Sequence, residues 1–401
     1  MSSTLRWLDF SAEEQRRTRE MLRLFEEKES RDELGIGQVR DAFSDLLFPG
    51  TSVLLTRARY FLIIPWCGQY ADSTAHYRRG RQTLDMVERK ALVALKAAAP
   101  GEPGIIGAYA GTAVKNLPSV LYKQALERYG IARPAVESGV LAEEGVGEHV
   151  TRDAPGQWVS SLPAAPSGFP DAIDGGVRLS REEARWLQDQ ITAATPDSYL
   201  THVLLSDWLV EGVEWPWSHP AVETAPAEMA AVVDDAELFS LAMHGAALLY
   251  NLLISEWYES KELSNVADPV EAYREALADW ADQVLAHPKR NSWDTGAMWR
   301  RVMRQNPRVE GNVRARRFIS DWLDVFVRGE VDSLADDHAL RQLIKQRERA
   351  IKGAQSRLAN EKLLRSWAGA SGSRRLAYRW GNVAGLIADI HDGLESSDAR
   401  A

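Results

Sequence analysis

The segment His287-Pro-Lys289-Arg-Asn-Ser-Trp-Asp294 sets a histidine, a lysine and an aspartate at the spacing H-x-K-x4-D. That spacing suits phosphoryl transfer. One imidazole attacks phosphorus, a second protonates the leaving oxygen, and lysines balance the phosphate charge. The chemistry needs two such histidines, normally from two copies of the motif, and the chain carries one copy. A second chain in a dimer would have to supply the other. The segment also falls between two stretches of helical periodicity, whereas the motif belongs on a strand, and the Gly-Ser that usually follows it is missing. A phosphodiesterase or nuclease using His287, Lys289 and Asp294 is therefore the alternative expectation, and a chance match is the leading one.

His244 and Asn251 stand seven residues apart in the most apolar helical stretch, on one face with Glu237. Polar groups there must find partners, because an unsatisfied buried group costs roughly 1–3 kcal/mol. Either they face a pocket as base or ligand, or they form a satisfied hydrogen-bonded pair between helices; the second is expected. Cys67, the single cysteine, lies between Trp66 and Gly68 with no adjacent histidine. It reads as a small buried thiol, not a nucleophile. One cysteine excludes an internal disulfide and a multi-cysteine metal centre. There is no Walker A loop, no complete G-x-G-x-x-G, no G-x-S-x-G and no H-E-x-x-H, so chemistries with those signatures are excluded. No metal and no cofactor are expected.

The strongest binding signal is basic. Arg341, Lys345, Arg347, Arg349, Lys352, Arg357, Lys362 and Arg365 follow one another with Glu348 and Glu361 as interruptions, and Arg374, Arg375 and Arg379 then flank Tyr378 and Trp380. Guanidinium groups match phosphate geometry, and aromatic rings stack on unpaired bases. DNA is accordingly the expected ligand, with Arg57, Arg59, Arg341, Lys345, Arg349, Lys352, Arg374, Arg375 and Arg379 as its contacts. A solvated helix face produces the same pattern. Arg57 and Arg59 have a second option, pairing with Asp41 and Asp45 of the preceding helix.

Helices must position all of these groups. Phe10-Ser11-Ala-Glu-Glu14 has the form of a capping box, opening a helix that ends near Leu34-Gly35. Val39, Phe43, Leu46 and Leu47 recur at helical spacing, Pro49-Gly50 breaks them, and Thr51 or Ser52 caps a second helix through Arg57, Arg59 and Tyr60 to Pro65. Two helices around a short turn give a helix-turn-helix or winged-helix-like outline, which plain antiparallel packing also gives. Further helices are expected over residues 80–98, after Pro118 to Tyr129, after the capping box Ser180–Glu183, and over residues 234–258, 271–285, 314–326, 334–364 and 376–394. Alternating patterns are few, so the fold class is mainly α with minor β.

Prolines 134, 155, 163, 166 and 170 alternate with Gly, Ser and acidic residues. This predicts a loop-rich linker over 132–178 between an N-terminal helical domain, 1–131, and a C-terminal one, 179–401. The chain has 401 residues, enough to bury a sizeable core, and fourteen Trp to fill it. The apolar run Tyr60–Trp66 is about a third of what a membrane helix requires, and no signal-peptide stretch opens the chain. A cytoplasmic protein without a membrane segment is expected. Its net charge is −9, yet between Arg300 and Trp380 basic residues outnumber acidic ones about two to one. Segregated charge of this kind marks a polyanion-binding face, or a lobe that docks on an acidic partner.

Trp7-Leu-Asp-Phe-Ser11, Gly35-Ile-Gly37, Arg40-Asp-Ala-Phe43, Leu47-Phe-Pro-Gly-Thr-Ser52, Thr56-Arg-Ala-Arg-Tyr-Phe61 and Pro65-Trp66 resemble an uncharacterised bacterial protein family, a domain of unknown function. Lys115-Asn-Leu-Pro-Ser119, His244 to Asn251, Trp367 to Gly372 and Tyr378-Arg-Trp380 fit the same pattern, so the likeness spans nearly the whole chain. The resemblance implies a place among antiviral defence genes, with helicase or phosphodiesterase-like subunits as partners. It brings no established activity and no catalytic residue. The function expected is a non-enzymatic accessory subunit binding DNA or a DNA-processing partner, with a protein–protein scaffold as a further alternative.

Overall fold

The computed structural model describes residues 32–74, 82–133 and 158–396. The capping box at Ser11–Glu14 lies outside them. Among the described residues the protein forms fourteen α-helices and no strand, with one isolated bridge between Ala132 and Trp158. The mainly α class holds, and no strand is present there to form a wing.

The residues group into two units, each drawn from separate stretches of chain: 1–42 with 234–376, and 43–233 with 377–401. The described part of the expected linker, 132–133 and 158–178, falls inside the second unit.

In the first unit an apolar helix sets the architecture. Helix α7 (Ala227–Ser260) buries Leu238, Phe239, Leu241, Ala242 and Met243 in close succession, and these point to different sides. A helix with no polar face has to be surrounded. Trp280 of α8 (Pro269–Ala286) and Trp322 of α11 (Val313–Arg328) lie along it, their indole N–H groups donating to the Leu241 and Ala242 carbonyls at 2.8 Å each. Gly245 makes this approach possible, since a Cβ there would collide with the Trp280 ring. By length and composition α7 would also cross a bilayer, but 89% of its most apolar window is buried within the protein. Between α8 and α11 run α9 (Thr295–Gln305) and the short α10 (Arg308–Gly311). Buried Arg290 donates to the carbonyls of Val284 at 3.0 Å, Phe326 at 3.2 Å and Val327 at 2.5 Å. A cation thereby meets carbonyls in the last turns of α8 and α11, where the helix dipole favours positive charge.

The single long helix expected over 334–364 is two. Helix α12 (His338–Lys352) stops where Gly353 takes φ +53°, and α13 (Glu361–Arg365) restarts under the Asn360 cap. A left-handed turn breaks the helical hydrogen bonding whatever the charge pattern on either side.

The second unit corrects the helix-turn-helix outline. Helix α1 (Gly37–Leu47) is followed by a loop over 48–59, and α2 (Tyr60–Thr74) begins only after Arg59. That separation far exceeds the turn of three or four residues the motif uses. Tyr60, Phe61, Leu62, Ile64, Trp66 and Cys67 are all buried, so α2 is a core helix without a face for a groove. Pro65 sits inside it instead of ending it. Packed around it are α3 (Leu84–Ala98) and α4 (Pro118–Arg128), joined where the buried Glu88 carboxylate accepts from the Ser119 N–H and hydroxyl at 2.7 and 2.8 Å. Residues 158–178, expected as linker, are part of this core. Pro163 accepts from the Trp66 indole at 2.7 Å, Phe169 meets the Trp66 ring edge-on, and Trp158 covers Gly68. Proline here shapes an ordered loop because Trp66 offers it both a ring and a donor. Helix α14 (Trp380–Glu395) packs on α5 (Arg181–Ala194) and α6 (Tyr199–Leu204).

Candidate nucleic-acid interface

Five of the nine cations expected to meet DNA are spent inside the fold. Arg59 is 1% exposed. It donates to the Asp174 and Gly176 carbonyls at 2.7 Å each and pairs with Glu183 at 2.9 Å. Arg57 pairs with Asp389 at 2.8 Å and lies 3.5 Å from Glu102, so neither arginine takes the expected Asp41 or Asp45. Asp389 also accepts from the Ala58 N–H at 2.8 Å, and the Tyr122 hydroxyl accepts from Thr56 and Arg57 N–H while donating to the Arg57 carbonyl. The loop leading into α2 is thus held by side chains where a recognition helix was expected. Arg379 donates to Asp45 and to the Thr51 carbonyl, both at 2.7 Å. Arg341 forks onto Glu256.

Lys352 joins a buried knot. It pairs with Glu33, lies 3.5 Å from Glu348, and donates to the Tyr250 hydroxyl at 3.1 Å. Glu348, fully buried, accepts from Tyr250 at 3.1 Å, from the Arg357 N–H at 2.6 Å and from the Ser356 hydroxyl. Burial first, then the Glu348 charge, holds the Tyr250 phenol far above its ordinary range. Two carboxylates are tolerable here because one ammonium and several donors neutralise them together.

Of the rest, Arg374 and Arg375 make contacts within the protein, Arg375 beside His244. Lys345 and Arg349 are exposed one helical turn apart on α12, with no ion pair among the described residues. Arg304, Arg308 and Arg314, which were not among the expected contacts, are exposed and unpaired in the same sense. They stand on α9, α10 and α11, successive helices in contact. Asn306 and Asn312 fix this turn by donating to the backbone and side-chain oxygens of Gln38 at 3.3 and 3.0 Å. The sequence held a signal for them: residues 300–317 contain seven Arg and a single carboxylate, Glu310. Arg301 leaves that set for Asp235 at 2.6 Å, while Arg300 and Arg317 lean on Asp294 and Asp321 at 3.6 and 3.8 Å.

The H-x-K-x4-D segment links two helices. His287 ends α8 with Nε2 3.6 Å from Glu237, Lys289 pairs with Asp234 at 2.5 Å, and Asp294 caps α9 by accepting from the Ala297 N–H at 2.8 Å. Each group has its own structural partner, and the segment is a turn, not a strand.

His244 and Asn251 face a bent, non-helical stretch of backbone, not another helix. Asn251 accepts from the Ser371 N–H at 2.8 Å and donates to the Ser371 carbonyl at 2.9 Å, reproducing a peptide pair, and Ser240 donates to the Leu376 carbonyl. His244 faces Ser373 and Arg375, and burial, aided by Arg375, lowers its imidazole to about 4. Burial pushes the Cys67 thiol well above its usual range. Among the described residues no group of three or more His, Cys, Asp or Glu is placed to hold a metal ion.

No curated protein and no solved structure matches this chain. A family model does match, over residues 1–393, and the chain belongs to that family, a family of unknown function designated DUF6361.

Proposed function

We propose that this protein is a non-enzymatic accessory subunit of a bacterial antiviral defence system, which binds DNA, or a helicase or phosphodiesterase-like partner working on DNA. What carries the reading is a division of labour among cations. Five of those named from sequence brace the fold, whereas Lys345, Arg349, Arg304, Arg308 and Arg314 stand exposed in the first unit without carboxylate partners among the described residues. Exposed guanidinium and ammonium groups meet phosphates without first breaking an internal pair. The phosphodiesterase alternative has no geometry behind it, since Lys289 and Asp294 serve as ion-pair partner and helix cap.

Fluorescence anisotropy of a labelled duplex across a salt series tests this. Affinity should fall as salt rises, with a log–log slope of roughly −0.9 per phosphate contacted. Lys345→Glu with Arg349→Glu, and separately Arg304→Glu with Arg308→Glu and Arg314→Glu, should each flatten that slope and weaken binding by about tenfold or more. Binding that ignores salt, or variants that bind like the parent protein, would remove the proposal.

A further inference from the structure

A loop of the second unit displays three large apolar side chains to solvent within five residues. Leu205 is 56% exposed, Trp208 55% and Leu209 71%. Single exposed apolar residues are ordinary, but a contiguous group marks a contact surface. This loop is anchored on both sides. Val210 is buried beneath it, His219 is buried against the Trp208 and Leu209 backbone, and Ser206 donates to the Val203 carbonyl at 2.8 Å. The Val213 carbonyl accepts from the Trp380 indole at 2.8 Å, and Pro216 accepts from Tyr199 at 2.8 Å. Trp215 and Trp217 stack face to face just beyond, with centroids 5.4 Å apart. Fraying does not explain the exposure, because the backbone that presents these side chains is tied down.

Charge says what would cover them. From residue 186 to residue 260 the chain contains no Lys or Arg. Asp207, Glu211 and Glu214 flank the apolar residues along the chain, exposed and without ion pairs among the described residues. Such a rim repels DNA phosphates and anionic lipid headgroups alike. It also disfavours a second copy of this chain docked symmetrically, which would set carboxylate against carboxylate. An apolar stripe flanked by lysine or arginine satisfies both features.

We infer that the loop carrying Leu205, Trp208 and Leu209 is a docking surface for a basic amphipathic helix of a partner protein. Trp208 and Leu209 enter the apolar side of that helix, and Asp207, Glu211 and Glu214 pair with its flanking cations. This surface is independent of the exposed cations of the first unit, so it stands or falls separately from DNA binding.

The full chain labelled with 5-fluorotryptophan tests it by fluorine NMR, with the Trp208 resonance assigned from Trp208→Phe. The probe is a leucine–lysine amphipathic helical peptide of about 18 residues, compared with a leucine–glutamate peptide of the same pattern. The Trp208 resonance should shift saturably with the lysine peptide and stay fixed with the glutamate one. Leu209→Ser, and Glu211→Lys with Glu214→Lys, should each weaken the lysine peptide by about tenfold or more. The remaining tryptophan resonances, unchanged, show in the same spectrum that the variants are folded. Equal response to both peptides or undiminished affinity in the variants overturns the inference. So does a Trp208 shift produced by phosphatidylglycerol vesicles, or one produced by raising the protein concentration alone.

Discussion

Arg59 and Lys345 carry the same charge and meet opposite fates. Arg59 spends its donors on two carbonyls and Glu183 inside the core, so removing it strands a buried carboxylate. Arg59→Met should cost about 3–5 kcal/mol in a denaturant melt, while Lys345→Glu should move the same melt by no more than about 0.5 kcal/mol. Equal effects would mean that burial does not separate the two classes of cation. His244 supplies a pH dependence. Folded, its imidazole is held to about 4; unfolded, it titrates near its ordinary value of 6.5. Above that value both states are neutral and the residue adds no pH dependence. As pH falls from 6.5 toward 4 the unfolded chain takes up a proton that the folded one refuses, so stability drops, by about 3 kcal/mol at most. His244→Gln should lose that part of the acid slope; an unchanged slope between pH 6.5 and 4 would assign it elsewhere.

Among the elements, the cap at Ser180 was legible, whereas the helix expected to start at Thr51 or Ser52 begins only at Tyr60. Ser180 and Glu183 form the reciprocal capping box their spacing announces, at 3.2 and 2.9 Å. The same Glu183 also takes Arg59, a residue 124 positions away, which no local pattern contains. The end of α12 at Gly353 was missed because the helical periodicity of charges continues past it, and periodicity carries no information about φ. Gly245 of α7 is the opposite case, a glycine within a helix that has to stay one. Replacing it by alanine adds about 1 kcal/mol of helix propensity, but the new methyl meets the Trp280 indole, whose N–H is fixed to the Leu241 carbonyl. Overpacking of that kind costs about 1–3 kcal/mol. Gly245→Ala should therefore lower the melting temperature; a rise would show that the ring can withdraw.

For the molecule as a whole, the chain passes between its two units three times, near residues 42, 233 and 376. Fragments cut at the composition break, 1–131 and 179–401, each hold only part of both units. Expressed separately, neither should show the cooperative thermal transition of the full chain by circular dichroism, whereas two such transitions would restore the linear arrangement. The helical class, most helix positions and the Ser180 capping box came from the sequence by itself, because apolar periodicity and capping chemistry act within a few residues. The signal in the H-x-K-x4-D spacing was local too, but chemistry requires convergence, and spacing alone does not supply it. Which arginines brace and which face water was decided only by tertiary structure. An ion pair such as Arg57–Asp389 depends on where two distant segments meet, and a side chain's charge is the same whether a carboxylate or solvent awaits it.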